Sequence, residues 1–138
     1  MWQQGDIRVT EVLEVVPGKP YQSKPGAPLP RRMDTLLIKY VIENLGNAPH
    51  KVGCRAFIDT LVVQNDAALF ASPTTHPNQV LNGIVLKDKQ LPDFFEVLER
   101  PNVKDPGFKG IFTLKLGSKL EGPNRVVLTN YGTRGQWD

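Results

Sequence analysis

Apolar and polar residues alternate along two stretches of the chain, residues 6–16 and 34–44. The apolar positions that share one parity within each stretch are Ile7, Val9, Leu13, Val15, Leu36, Ile38, Tyr40 and Ile42. A period of two is typical of a strand with one buried face. We therefore predict a strand in each stretch. The second also has Leu37 and Val41 on its other face, which predicts a central strand buried on both sides.

The rest of the chain holds shorter stretches of β composition between turn residues. These are residues 50–63, 67–70, 80–87, 109–116 and 124–131, with Gly83 as a bulge or weak point. Turn-forming residues follow position 44, so the pattern predicts a hairpin between 34–44 and 50–63. The last two stretches are predicted to form another hairpin with a longer loop.

One segment favours a helix. In residues 91–100, Phe94, Val97 and Leu98 fall at positions i, i+3 and i+4, and Pro101 follows as a terminator. This spacing predicts an amphipathic helix of two to three turns.

Twelve glycines and twelve prolines indicate many turns, and five of the prolines lie in residues 17–33, which we predict to be a long exposed loop. Short strands with a single helix favour an all-β fold, a two-layer antiparallel β-sandwich with one short helix. A chain of 138 residues fits one domain, residues 1–138.

Charge and cysteine content exclude few classes of function. The net charge of +3 comes from scattered lysines and arginines without an aromatic-rich basic stripe, which argues against a nucleic-acid partner. Cys54 is the only cysteine, so redox chemistry does not identify a compartment. No apolar run reaches the length of a membrane span, so the protein is not expected to cross a membrane. An extracytoplasmic location would require a signal outside this sequence.

Two segments of the chain form recognisable motifs. Residues 50–60 fit the pattern H-x-V-G-x-R-x-x-[IL]-D-T and are followed by Asn65 and Asp66, while residues 123–128 precede a Trp137-Asp138 pair. These motifs resemble a family of bacterial β-sandwich proteins that has no established activity. The resemblance implies a β-sandwich fold. In that family further β sequence follows the Trp-Asp pair, so we expect a domain truncated at its C-terminus.

The chain departs from the family pattern at Val63 and Ala67, where the family tends to have glycine. If the family loop needs a positive φ at these positions, its geometry is altered in this protein.

Candidate ligands lie in and after the motif of residues 50–60. Asp59, Asn65 and Asp66 supply oxygens of the kind that Ca²⁺ prefers, although such residues also cap turns through their own backbone. Arg55 and Asp59 share a parity, so on a strand both would face one polar ligand such as a sugar, or pair across the sheet. Trp2 and Trp137 could stack on a carbohydrate or pack together where the chain ends meet.

No nucleophile–base pair, phosphate loop or Cys/His cluster is recognisable. We therefore predict a non-catalytic accessory, binding or structural module of a larger bacterial protein, which binds a glycan or another protein. The alternatives are a structural domain with a Ca²⁺-stiffened loop and a carbohydrate-active enzyme domain. The candidate carboxylates of the enzyme are Asp59, Asp66, Glu96 and Glu99. The sequence leaves the oligomeric state open.

Overall fold

A computed structural model describes residues 1–18, 26, 32–117 and 120–130, and nearly all regular structure in them is β-strand. The strands are β1 (Trp2–Gln4), β2 (Ile7–Val16), β3 (Thr35–Asn44), β4 (Leu69–Ser72), β5 (His76–Leu81), β6 (Ile84–Lys87), β7 (Phe94–Leu98), β8 (Lys109–Thr113) and β9 (Arg125–Leu128). Every strand pair is antiparallel, and the described helical structure is one 3₁₀ turn, Asp88–Gln90. The all-β, sandwich-like class predicted from sequence is confirmed.

The chain divides into two compact units, which are described separately. The first, Met1–Arg55, contains a three-stranded sheet in the order β1-β2-β3. β2 and β3 pair without a register shift from Ile7↔Asn44 to Val16↔Thr35. None of the described residues of this unit is fully buried. The described residues of this unit therefore form no core of their own.

The second unit, Ala56–Asp138, is a small two-layer sandwich. A four-stranded sheet (β5-β4-β7-β8) and a two-stranded sheet (β6-β9) enclose the core. Its buried members are Ala68, Phe70, Leu81, Leu86, Phe95, Val97 and Leu128. The Phe95 ring stacks on Phe112 with a centroid distance of 4.9 Å and forms a T-shaped contact with Phe70 at a centroid distance of 5.9 Å. Aromatic contacts of this kind add to the free energy gained by burying apolar area.

The predicted helix at residues 91–100 is wrong, because residues 94–98 form β7 in the middle of the four-stranded sheet. The sequence Phe-Phe-Glu-Val-Leu is rich in aromatic and β-branched residues, which pack well on a pleated surface. Phe95 and Val97 point to the core two residues apart, and Glu96 between them is only half-buried. The same short apolar run satisfies the helical spacing by coincidence.

Three strand predictions need correction. β3 is the outer strand of its sheet, not a central one, and its partner is β2. The predicted strand at residues 50–63 is absent; Val62 and Asn65 form only an isolated bridge. The last two strands do not form a hairpin, because β8 pairs with β7 and β9 pairs with β6.

Gly83 interrupts a predicted strand, as expected. The predicted strand at residues 80–87 is divided between β5 and β6, and Gly83 lies between them with a φ of 65°. A left-handed backbone is easiest for glycine. Of the predicted loop at residues 17–33, most lies outside the described residues.

Val63 has a left-handed backbone, with a φ of 59°. It lies in a turn closed by backbone hydrogen bonds between Val62 and Asn65, of 3.2 and 2.9 Å. A β-branched residue is strained there, and glycine is not. This is one of the two positions at which the resembling family tends to have glycine. Ala67, the other such position, has no positive φ.

We predict that Val63→Gly stabilises the second unit by about 0.5–1 kcal/mol, because relief of the left-handed strain exceeds the added entropy of the unfolded chain. Urea unfolding would measure the change. Val85→Gly is the control, since Val85 is similarly exposed but lies in β6, and it should destabilise by about 1 kcal/mol. A Val63→Gly variant as destabilised as the control would contradict the prediction.

Candidate functional site

The three-stranded sheet exposes one apolar side. Residues opposite each other in an antiparallel pair point to the same side of the sheet. The register therefore gathers most of the apolar positions of the three strands on one side, which we call the apolar face: Trp2, Ile7, Val9, Leu13, Val15, Leu36, Ile38, Tyr40 and Ile42. Trp2, Leu13 and Leu36 are 58%, 59% and 56% exposed. An apolar patch of this extent is typical of an interaction surface.

One polar contact lies within the apolar face. Glu11 and Tyr40 face each other across β2 and β3, and the Tyr40 hydroxyl donates a hydrogen bond to Glu11 Oε1 at 2.9 Å. This hydrogen bond raises the pKa of Tyr40 above its usual value, and partial burial and the charge of Glu11 add to the shift. The pair holds a carboxylate at the middle of the apolar face, while the polar Gln4 and Asn44 lie on the same side at its end.

The opposite side of the same sheet is more polar. It carries Arg8, Thr10, Glu14, Lys39 and Glu43 as well as four apolar residues, Val12, Val16, Leu37 and Val41. Arg8 Nη1 lies 3.7 Å from Glu43 Oε2, an exposed ion pair between opposite residues of β2 and β3. The two sides of the sheet thus differ in character, and the apolar one is the candidate binding surface.

The predicted Arg55–Asp59 pair is not supported by a strand. Both residues are exposed and lie between β3 and β4, outside every described strand, so the parity that placed them on one face does not apply. Asp59 Oδ1 accepts a hydrogen bond from the Thr60 N–H at 3.0 Å. Trp2 lies on β1, in the apolar face, and Trp137 lies outside the described residues.

The predicted calcium ligands include a residue with a structural role. Asn65 Nδ2 donates to the Glu99 carbonyl oxygen at 2.7 Å, and Asn65 Oδ1 accepts from the Ala67 N–H at 3.0 Å. Nδ2 thus joins the turn to the segment after β7, and Oδ1 closes a bond within the turn itself. In the described ranges no group of three or more His, Cys, Asp or Glu side chains is arranged to hold a metal ion. The calcium site of Asp59, Asn65 and Asp66 stays a prediction.

The candidate carboxylates Glu96 and Glu99 do not share a helical face, because no helix forms there. Glu96 lies on β7, and its Oε1 is 2.7 Å from Lys109 Nζ on the neighbouring β8. Glu99 follows β7, and its Oε2 accepts a hydrogen bond from the Phe108 N–H at 2.8 Å. Each carboxylate therefore has a structural partner of its own.

Two clefts of the second unit are small. One of about 230 Å³ is lined in part by Asp88, Leu91 and Lys115. Another of about 110 Å³ is lined in part by His76 and Glu96. Pockets for small molecules usually have volumes of roughly 300–1,000 Å³. Neither cleft is as good a candidate as the apolar face.

A chain of hydroxyl groups ends at His76. Ser72 Oγ lies 2.6 Å from Thr75 Oγ1, which lies 3.0 Å from His76 Nδ1. Ser72 is fully buried, so its hydroxyl cannot reach a substrate. The chain joins neighbouring residues around the turn from β4 to β5, which indicates a structural role.

No family model, curated protein or solved structure matches this chain. In the described part of the chain, no helix is long and apolar enough to cross a membrane. The sequence pattern did not single out Leu13, Leu36 and Tyr40 as candidate binding residues, although it predicted the two apolar stripes to which they belong. Pairing those stripes with each other would have revealed the apolar face.

We predict that Glu11→Gln lowers the pKa of Tyr40 toward its usual value, because the charged carboxylate that accepts the hydrogen bond of the phenol is removed. Because its pKa is raised by folding, Tyr40 makes its full contribution to stability at pH values below its pKa in the unfolded state. That contribution is lost as the pH rises through the higher folded-state pKa. Tyrosinate absorbance would report the pKa, after subtraction of the matching titration of a Tyr40→Phe variant. An unchanged pKa in Glu11→Gln would contradict the assignment.

We also predict that Asn65→Ala destabilises the second unit by about 1–2 kcal/mol, because the Glu99 carbonyl and the Ala67 N–H lose their partner. Urea unfolding with Ca²⁺ and with EDTA should give the same loss. The exposed Asn47 provides a control, and Asn47→Ala should have little effect. A loss that occurs only in Ca²⁺ would instead support a metal site.

Proposed function

We propose that this chain is a non-catalytic binding module that contacts another protein through the apolar face of its N-terminal unit. The observation that carries the proposal is a three-stranded sheet with one apolar side left exposed. Sheets normally gain their stability by packing such a side against another layer. A sheet without that layer keeps its apolar side in contact with water, which is unfavourable. Binding of a partner that covers the face would therefore be favourable, because it removes this apolar area from water.

The composition of the face favours a protein over a glycan. Its side chains are mostly aliphatic, with Leu13, Val15 and Leu36 among the most exposed. Sugar sites combine aromatic faces with several convergent polar groups. Here the aromatic residues are Trp2 and Tyr40, and the Tyr40 hydroxyl is already bonded to Glu11. Aliphatic surface of this kind is complementary to apolar side chains of another polypeptide.

A photo-crosslinking amino acid at position 13, in cells that produce the protein, should capture a discrete protein partner. The same amino acid at position 14 is the control, because Glu14 points to the opposite side of the sheet. The captured protein would then be identified and purified for binding measurements.

The purified partner should bind a Leu13→Gln/Leu36→Gln variant at least about tenfold more weakly than the original chain, since buried apolar anchors carry most of the binding free energy. Glu14→Gln should leave the affinity unchanged. Equal capture at positions 13 and 14 would contradict the proposal. So would binding to immobilised glycans that Trp2→Ala abolishes and the double variant does not.

A further inference from the structure

The outer edge of β3 is long and regular. β3 has ten residues without proline or a bulge, and in the described part of the chain no strand pairs with its outer side. Proteins usually protect such edges with prolines, bulges, short strands or several lysines, because unpaired backbone groups are a template for another strand. β3 has only Lys39 as protection of this kind.

The register with β2 shows which backbone groups of β3 point outward. The Leu45 N–H donates to the Asp6 carbonyl at 2.7 Å, and the pairing then continues unbroken from Ile7↔Asn44. Hydrogen-bonded and non-hydrogen-bonded pairs alternate along an antiparallel ladder. Odd-numbered residues of β3 therefore bond to β2, and the even-numbered residues from Leu36 to Asn44 direct their N–H and C=O groups outward.

Two copies of β3 related by a twofold axis can pair only if outward groups meet outward groups. This condition allows twofold axes centred on a residue but not between residues. With the axis at Val41, Lys39 of one copy lies opposite Glu43 of the other, and the reverse pair forms as well. An axis at residue 40 or 42 places Lys39 opposite an aliphatic residue, and an axis at residue 39 places it opposite itself. Only the register centred on Val41 is charge-complementary among these.

We propose that two copies of this chain associate through antiparallel pairing of β3 with β3, centred on Val41, to form a continuous six-stranded sheet. The proposal concerns the edge of the sheet, so it goes beyond partner binding at the apolar face. Even-numbered outward residues form the hydrogen-bonded pairs, with Tyr40 opposite Ile42 of the second copy. Aromatic and β-branched residues are favourable cross-strand neighbours.

The ion pairs fall where side chains approach most closely. Lys39 and Glu43 occupy non-hydrogen-bonded positions of the new ladder, at which opposite Cα atoms are about 4.5 Å apart. Glu43 already lies 3.7 Å from Arg8 on the same side of the sheet. The pairing would thus extend this contact into a row of alternating charge. A second copy supplies the complementary charges by symmetry, which an unrelated strand would have to match independently.

Sedimentation analysis of charge-reversed variants tests both the association and its register. The original chain should form dimers. Lys39→Glu places two carboxylates opposite each other, and Glu43→Lys places two lysines opposite each other, so each variant alone should dimerise at least about tenfold more weakly. An equimolar mixture should form heterodimers, because both contacts between the two variants are again of opposite charge.

Two further variants distinguish a loss of edge pairing from a loss of the folded structure. Ile42→Pro removes an outward N–H and no bond to β2, so it should abolish dimers while thermal unfolding remains cooperative. Lys51→Glu changes the same charge at an exposed position outside β3 and should leave the dimer intact. Circular dichroism would confirm that each variant keeps its strand content.

Three results would overturn the proposal: a monomeric original chain up to about 1 mM, dimers that survive Lys39→Glu and Glu43→Lys, or a mixture that fails to associate. Lys39 and Glu43 lie on the side of the sheet opposite the apolar face. If these variants lose the dimer but still bind the captured protein, then pairing at the edge and binding at the apolar face are independent of each other.

Discussion

A sheet with one apolar side gains free energy only when that side leaves water. The Ala56–Asp138 unit meets this constraint with its own residues, because β6 and β9 cover the side of the four-stranded sheet that carries Phe70, Phe95 and Val97. The Met1–Arg55 unit has the same alternation in β2 and β3 but no buried side chain among its described residues. The functional inference follows from this difference, because a surface that is costly to expose is expected to have a partner.

The parts of the fold that were predictable from sequence are those determined by local pattern. β2 and β3 each sustain a period of two over ten residues, and no helix can present that pattern as one face. The helix prediction for β7 is wrong because its five residues, apolar except for Glu96, fit both the helical and the strand spacing. The pairing of β6 with β9 joins segments distant in the chain, and nothing in either strand specifies its partner. Local pattern therefore predicts strands much better than it predicts neighbours.

The candidate site also has parts that local pattern predicts and parts that it does not. Both apolar stripes were read from the sequence, but the register that combines Leu13, Ile38 and their neighbours into one surface depends on pairing β2 with β3. Arg55 and Asp59 were grouped only because residues 50–63 were expected to form a strand. Asn65 was recognised as a residue of interest for its oxygen. Its actual contacts, to Glu99 and Ala67, depend on a turn closing against a segment that follows β7.

Glu11 limits which partners the apolar face can accept. Moving its carboxylate out of water is costly unless hydrogen bonds replace the lost hydration, and Tyr40 supplies one such bond. A carboxylate accepts several hydrogen bonds, so one phenol leaves part of that capacity unmet. A partner that covers the whole face must bring a donor to this position or leave Glu11 at a solvated gap. A uniformly apolar surface does neither. If the face binds a partner as proposed, the Glu11–Tyr40 pair would therefore discriminate against nonspecific hydrophobic contacts, while the surrounding aliphatic residues would supply the buried area.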